Sequence, residues 1–487
     1  MTIAVQKGDS TTPLCVDLDG TLVRTDLLHE AVFMLLRSQP WMLFVLPFWL
    51  LKGRTHLKME LARRVTPDPS TLPYREAVLA VVREAKAQGR PLILATASPR
   101  RWADAVATHL DVFDRVEATS ETVNLAADMK ASRLVGLFGE HGFDYIGDSR
   151  ADIAVWSKAR RAFAAHNGAH LPKTVADHIN RTDGAVLGSA MNRTERVRTW
   201  LKAVRVHQWL KNSLLFVPAI LGIRFFDVGT ALSLTIAFLA FSLCASAVYL
   251  VNDLLDMPVD RKHPTKRQRP FASGKLPVHQ GAVASCALLI SAFALALFLP
   301  TQFLLVLAVY FAVTCAYSLS LKRMLLIDVL TLAGLFTVRV LAGAAAVGGT
   351  VSTWLLAFCM FFFLSLALVK RFVELTRHGK DNGLQETGRG YRASDIDTVA
   401  QAGMASGFAA VVVLALFIES PQVATNYARP EAIWLVCPLV LYIIMRVWIL
   451  ARRQEMHDDP VVFLLTDWRS QAMIAIGAVI MLLSQIL

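Results

Sequence analysis

The sequence predicts two unlike halves: an α/β domain built on a doubly wound parallel sheet, then an all-α membrane bundle of about nine transmembrane helices. Three observations carry this. Composition changes near residue 200, from mixed charged and apolar residues to long apolar runs separated by short polar loops. Over 487 residues, 55% are hydrophobic and only 18% charged, with mean hydropathy +0.46; a soluble globular protein carries about a quarter charged residues. These values exclude intrinsic disorder and argue against a wholly soluble enzyme. Finally, the first half alternates short apolar runs with helical patterns, the order that builds parallel sheets.

The runs at 12–17, 91–96 and 144–147 end in polar residues and read as strands, while 74–88 and 99–109 have helical periodicity. The N-terminal MTIAVQKGDSTTPLCVDLDG lacks a basic stretch followed by an apolar core, so no signal peptide is expected and the first domain is expected in the cytosol. Residues 27–72 interrupt the alternation. They contain WMLFVLPFWLL (41–51), too short for a bilayer that needs about 20 residues. A buried helix of an inserted cap and a segment touching the membrane both remain open there. The polar stretch 166–198 reads as the last soluble segment or a linker. The expected boundaries are a first domain at 1–185, a linker at 186–198 and a membrane domain at 199–487.

The second half parses into spans at 209–224, 230–251, 279–298, 301–319, 325–347, 351–369, 400–418, 431–450 and 469–487. Basic residues fall almost entirely in alternate loops: Arg261 to Lys275 after the second span, Lys322 and Arg323 after the fourth, Lys370 to Arg392 after the sixth, Arg452 and Arg453 after the eighth. The opposite loops offer Arg224 and Arg429. By the positive-inside rule the N-terminus and the basic loops are cytoplasmic, and an odd span count puts the C-terminus outside. The net charge of +12 is thus orientation signal plus an anion site, and no nucleic-acid partner is expected. Six cysteines stand in apolar runs without a CxxC pair, so neither a disulfide framework nor a zinc site is expected.

Two constellations carry chemistry. The first is Asp17-Leu18-Asp19-Gly20-Thr21-Leu22 after the first strand, LILATAS with Thr96 and Ser98 at the end of the second, and Gly147-Asp148-Ser149-Arg150-Ala151-Asp152 after the third. Four carboxylates at the carboxyl edge of one sheet require a cation, and an all-oxygen ligand set suits Mg²⁺. Over residues 10–165 this set resembles the haloacid dehalogenase superfamily of phosphatases. The resemblance implies a helical cap at about 27–85 that sets substrate choice. It implies Asp17 as the nucleophile that becomes an aspartyl-phosphate, Asp19 as general acid/base, and Thr96 or Ser98 as phosphoryl ligands. Lys130 then offsets the phosphoryl charge, and Asp17, Asp19, Asp148 and Asp152 form the metal-binding set.

The second is Asn252-Asp253-Leu254-Leu255-Asp256-Met257-Pro258-Val259-Asp260, directly after an apolar span and followed by Arg261, Lys266, Arg267 and Arg269. On one helix Asn252, Asp253, Asp256 and Asp260 share a face. Ionisable groups at membrane depth are costly and usually functional. Carboxylate-held Mg²⁺ beside Lys and Arg is what a pyrophosphate leaving group requires. Residues 198–487 resemble the UbiA-type intramembrane prenyltransferase superfamily. HQWLKN (207–212), KRFVEL (370–375) and a second patch, YSLSLKRMLLIDVLTLAGLFTVRVLAGAAA, with a single aspartate, Asp328, resemble its polyprenyl-phosphate (decaprenyl-phosphate) phosphoribosyltransferase branch.

That resemblance implies phosphoribosyl pyrophosphate as donor and a polyprenyl phosphate as acceptor. Asn252, Asp253, Asp256 and Asp260 are then the Mg²⁺ and diphosphate ligands, with Arg261, Lys266, Arg267 and Arg269 on the phosphates. Tyr317, Ser318, Lys322 and Asp328 complete the pocket, and Lys211 and Arg339 are further anion contacts. The fused phosphatase is expected to remove the ribose 5-phosphate, giving polyprenyl-phosphoryl ribose for cell-envelope glycans at a bacterial inner membrane. An aromatic-acceptor polyprenyltransferase with a polyprenyl diphosphate donor, a cation-coupled transporter and a non-catalytic anchor for the phosphatase are the competing readings. A homo-oligomer is left open.

Overall fold

The computed structural model describes residues 11–121, 123–165, 179, 182, 184–188, 191–221, 227–381, 390–420, 423, 427–456 and 459–486. Arg224, Arg389 and the start of the polar stretch, 166–178, lie outside them. The chain divides into two units, Met1–Val204 with Leu250–Ala284, and Arg205–Tyr249 with Ser285–Leu487.

The first unit holds a six-stranded parallel sheet: β1 (Leu14–Val16), β2 (Leu92–Pro99), β3 (Arg115–Thr119), β4 (Asp144–Gly147), β5 (Arg161–Ala165) and β6 (Ala185–Leu187), in the order β3-β2-β1-β4-β5-β6. Strand alternation gives each face its own core. Leu14, Val16, Leu92 and Leu94 pack with Trp102 on one side; Cys15, Ile93 and Ala95 pack with Tyr145 and Trp156 on the other. Strand order reverses at β1, whose neighbours are β2 and β4, so the carboxyl ends of these three strands lie together at a topological switch point. The polar stretch is not all linker. Its short apolar run Ala185–Leu187 extends the sheet beside β5, and Asn192 caps a helix at Arg193–Ala203.

Between β1 and β2 lies the expected insertion. Asp26 caps the helix Leu27–Ser38 through the amide of Leu28 at 2.8 Å, and its apolar face enters the core through Leu27, Ala31 and Leu35. The run 41–51 is not the buried helix that stood as one option. It forms a 3-10 turn (Pro40–Phe44) and a short helix (Leu46–Leu51). Met42 is buried, and Val45, Leu46 and Trp49 pack on the core, while Phe44 is 75% and Leu51 84% exposed, with Trp41, Leu43, Phe48 and Leu50 also open. A segment apolar on all sides cannot bury every face in a two-sided cap.

Seven helices are long and apolar enough to cross a membrane among the described residues: Val228–Leu255, Val278–Ala296, Thr301–Leu319, Ile327–Ala346, Thr353–Arg377, Ala393–Ile418 and Pro430–Arg452. The expected nine included two weaker segments. The first is a 3-10 stretch, Val206–Phe216, with the short helix Val217–Leu221; it buries the polar Lys211 and Asn212. The last is the apolar helix Trp468–Ile486, of which Trp468–Ser484 is the apolar stretch among the described residues. Small residues set the packing of the second unit. A Cβ on Gly343 would meet the carbonyl of Leu215 at 1.9 Å, and one on Gly403 would meet Trp448 at 2.1 Å.

Candidate functional sites

The switch point gathers the first constellation. Asp17 follows β1, its amide donating to Ile146 O on β4 at 2.9 Å. Gly20 turns the chain with φ +74°, and a Cβ there would lie 2.1 Å from Asp148 Oδ2, so only glycine lets that carboxylate approach. Asp17, Asp148 and Asp152 each offer an oxygen within 4.8 Å of the others. Lys130 Nζ stands 3.0 Å from Asp17 and 3.3 Å from Asp152, and donates to Tyr145 OH at 2.8 Å. Asp152 is further held by Tyr145 OH at 2.7 Å and by the amides of Asp148 and Ser149.

Two expected roles shift. Asp19 is not in the carboxylate cluster: its oxygens accept from the Leu27 amide at 2.8 Å and Ser98 Oγ at 2.5 Å, which aims it at the pocket beside Asp17. Thr96 is fully buried, its hydroxyl accepting from the Ser98 amide at 3.0 Å, so it braces the turn while Ser98 lines the pocket.

Burial drives the electrostatics. It pushes the Asp17 carboxyl up to about 6, with Lys130 pulling down and Asp152 pushing up. It pushes Asp19 up to about 7, helped by Asp26. Asp148 stands well above the ordinary carboxylate range through burial, then Asp17 and Asp152. Asp152 overcomes its burial through Lys130 and Tyr145 and stays low. One ammonium, Lys130, thus serves Asp17 and Asp152, while Arg75 is the cation that draws on Asp148. The crowding and the all-oxygen donor set fit a small hard divalent cation.

The second constellation departs from the expected single face. The helix Val228–Leu255 stops, and a short helix, Met257–Lys262, starts with Pro258 in its first turn. Proline has no N–H for the helical ladder, so the axis breaks at Asp256. Arg269 Nη1 lies 3.1 Å from Asp253 and 2.7 Å from Asp260, both buried. Asp256 instead meets Arg37 of the cap helix at 2.8 Å. These carboxylates are neutralised by guanidinium groups, and among the described residues they do not form a metal-sized cluster. Burial raises Asp260, with Arg269 opposing. Asn252 is half-buried, and Lys266 and Arg267 are exposed on a 3-10 turn. Arg261, expected on phosphate, forms a two-pronged bond with Glu30 at 2.8 and 2.6 Å, both side chains almost wholly buried. Its guanidinium is engaged by the cap.

In the second unit, Tyr317 and Ser318 end the helix Thr301–Leu319, half-buried, with Lys322 on the following turn. Asp328 is fully buried against Arg371 Nε at 2.8 Å and accepts from Tyr391 OH at 2.7 Å. Lys211 pairs with Asp459, which also caps the helix Pro460–Thr466. Burial opposes ionisation of Asp459, but Lys211 and Lys370 hold its carboxyl below the usual range. Arg339, expected on an anion, is buried in the bundle: it donates to Asn212 at 2.9 Å, Leu335 O at 2.6 Å and Tyr310 OH at 3.1 Å, and stacks on Phe336. Sequence reasoning did not single out Tyr145, Arg371, Tyr391 or Asp459. Tyr145 was detectable as the one hydroxyl in an apolar strand; Asp459 opens a short apolar helix as its cap.

A parallel α/β domain with a carboxylate cluster at its sheet edge, joined to a membrane bundle carrying buried acid–base pairs, defines a two-part membrane enzyme. Residues 215–468 match the UbiA prenyltransferase family, and residues 14–157 match the haloacid dehalogenase-like hydrolases. The chain belongs to the UbiA prenyltransferase family and carries an N-terminal haloacid dehalogenase-like domain. It is 40% identical to protein y4nM of Sinorhizobium fredii over 96% of this chain and 90% of that one. It is 38% identical to the nodulation protein NoeC of Azorhizobium caulinodans over 56% of this chain and 88% of that protein. To decaprenyl-phosphate phosphoribosyltransferase of Mycobacterium tuberculosis it is 36% identical over 36% of this chain, which spans 59% of that enzyme.

Proposed function

We propose that the chain transfers 5-phosphoribose from phosphoribosyl pyrophosphate to a polyprenyl phosphate, releasing pyrophosphate, and then removes the ribose 5-phosphate. The reading rests on one pairing: a carboxylate cluster at a sheet switch point, and an acidic–basic segment at a membrane helix end whose relatives include decaprenyl-phosphate phosphoribosyltransferases. Of the expected boundaries, the phosphatase end moves from 185 to 188 to keep β6 whole, the connection follows to 198 and the transferase takes 199–487, with the N-terminal domain on the cytoplasmic side of a bacterial inner membrane.

In the phosphatase, Asp17 attacks phosphorus, an Asp17–P bond forms, and the bond to the ribose 5-oxygen breaks. Asp19 gives that oxygen its proton, then takes one from the water that cleaves the aspartyl-phosphate. Ser98 orients Asp19, and Lys130 holds Asp17 and a phosphoryl oxygen. Asp17, Asp148 and Asp152 are the residues that would hold Mg²⁺, which would supply charge neutralisation on the phosphoryl oxygens.

In the transferase, Asn252, Asp253, Asp256 and Asp260 would hold Mg²⁺ and the donor diphosphate once the anionic donor draws Arg269 and Arg37 off the carboxylates, with Lys266, Arg267 and Arg269 on its phosphates. Lys211, Tyr317, Ser318 and Lys322 serve the same substrates, Asp328 acts from beneath them through Arg371 and Tyr391, and the apolar helices hold the isoprenoid tail. The lipid phosphate oxygen attacks the anomeric carbon as pyrophosphate leaves.

Radiolabelled phosphoribosyl pyrophosphate and polyprenyl phosphate, incubated with the purified protein and Mg²⁺, should give a labelled lipid without the 5-phosphate by mass spectrometry. Asp17→Asn should leave transfer running and accumulate the 5-phosphorylated lipid; Asp256→Ala should abolish labelling. Labelling from a prenyl diphosphate alone, onto an aromatic acceptor, would replace this reading.

A further inference from the structure

The pocket at Asp17 is larger than a phosphoryl group requires and is not made by the phosphatase sequence alone. It encloses about 360 Å³ and is walled by Pro277, Val278 and His279 as well as by the sheet edge and cap. Those three residues begin the membrane-length helix Val278–Ala296, more than a hundred residues beyond the last phosphatase motif.

The wall is fixed. Arg261 and Glu30 form their buried clamp, and Arg37 holds Asp256 at 2.8 Å. Gly274 packs so closely on the cap that a Cβ there would lie 2.7 Å from Arg24 Cβ. The imidazoles of His279 and His29 stand 5.5 Å apart, centroid to centroid.

The same pocket carries cationic and N–H donors that the hydrolysis of one phosphate does not use: Arg24, His29, Lys58 and His279. Arg24 Nε is buried and has no hydrogen-bond partner among the described residues. Lys58 donates to Ala97 O at 2.7 Å beside Ser98, which leaves it further N–H groups. Asp26 is the acidic neighbour of this group and lies 3.2 Å from His29 Nδ1. Donors in excess of one phosphoryl group are the chemistry that recognises a second anion on the leaving group.

The geometry points to a second-anion subsite, built from Arg24, His29, Lys58 and the transferase-segment residue His279, that selects substrates carrying a phosphate or phosphodiester on the leaving group as well as the phosphomonoester to be cleaved. This rests on Asp17 being the phosphatase nucleophile and deepens that reading. His279 is a specificity-determining residue contributed by the transferase sequence. A sugar phosphate joined to lipid through a phosphodiester has this chemistry, as does a free sugar bisphosphate.

The test uses the full-length protein in detergent with Mg²⁺ and two soluble probes, ribose 5-phosphate and ribose 1,5-bisphosphate, followed by release of inorganic phosphate, with the lipid-linked 5-phosphoribose as a third arm. Wild type should favour the bisphosphate in kcat/KM by about tenfold or more. His279→Ala and Lys58→Met should each lower that ratio severalfold, mainly through KM for the bisphosphate. His279→Gln, which keeps a donor, should recover part of it and serves if the alanine variant does not fold. A lipid arm faster than the bisphosphate identifies the diester of a lipid as the second anion; the reverse order identifies a free bisphosphate. Equal kcat/KM on the two soluble probes, or a ratio unchanged in both His279→Ala and Lys58→Met, overturns the subsite. Asp17→Asn should stop turnover of every probe; activity surviving in it overturns the underlying phosphatase reading instead.

Discussion

At the scale of single residues, this chain repeatedly balances a buried acid with one long cationic side chain. Lys130 serves Asp17 and Asp152, Arg371 serves Asp328, Arg261 serves Glu30 and Lys211 serves Asp459. Removing one partner of such a pair leaves a stranded charge, which costs more than the intact pair contributes. Asp459→Asn is therefore expected to destabilise the bundle by on the order of 3 kcal/mol, read as a fall in unfolding temperature in detergent. The pH dependence has a definite sign. Asp459 sits below its ordinary 3.8, so its contribution is complete above about pH 4 and fades as pH falls through the lowered value. The variant should lose that part of the acid sensitivity; an unchanged acid limb and unchanged unfolding temperature would count against the pair.

At the scale of elements, the three motif-bearing strands and the long apolar helices were legible because period-two and period-3.6 patterns survive any tertiary context; β3, β5 and β6, which carry no motif, were not read. DLDGTL, ATAS and GDSRAD each closed a strand, and β1, β2 and β4 place them side by side. What the pattern did not contain was direction. The helix break at Pro258 sends Asp256 toward Arg37 while Asp253 and Asp260 share Arg269, a split that spacing along one ideal helix cannot reveal. Nor could sequence show which side of 41–51 is open. The exposed row of Trp41, Phe44, Phe48 and Leu51 is more apolar than a water-facing surface tolerates in a chain with seven membrane-length helices among its described residues. Its expected position is the bilayer interface. In liposomes, nitroxide-labelled lipids should quench the fluorescence of Trp41 in a variant whose other tryptophans are replaced by phenylalanine; quenching only by aqueous iodide would place the segment in water.

At the scale of the whole molecule, the boundary near residue 200 that composition drew is real for hydropathy but does not mark where contacts end. Leu250–Ala284 groups with the sheet domain although it takes in the end of one membrane-length helix and the start of the next. Long-range partners such as Glu30 and Arg261 leave no local trace, because a lone Glu in a cap helix and an Arg in a basic loop each look solvated. Their pairing makes a prediction with opposite signs in two settings. Residues 1–204 expressed alone keep Glu30 but lose Arg261, so Glu30→Gln should raise the unfolding temperature of that fragment. In the full chain the same change strands Arg261 and should lower it. The same direction of shift in both would show that the clamp has no energetic role.

The buried clamp also changes what the long peptide between the cap and the 250–284 segment is for. A tether's entropic cost grows only logarithmically, about 0.6 kcal/mol for each doubling in length, and Arg261 already anchors the cap by a route independent of it. Splicing a run of glycine and serine between residues 188 and 191 should thus be almost silent. Covalent continuity supplies proximity during assembly, and within this one unit the lasting registry of the cap and Leu250–Ala284 resides in a handful of charges far apart in the gene.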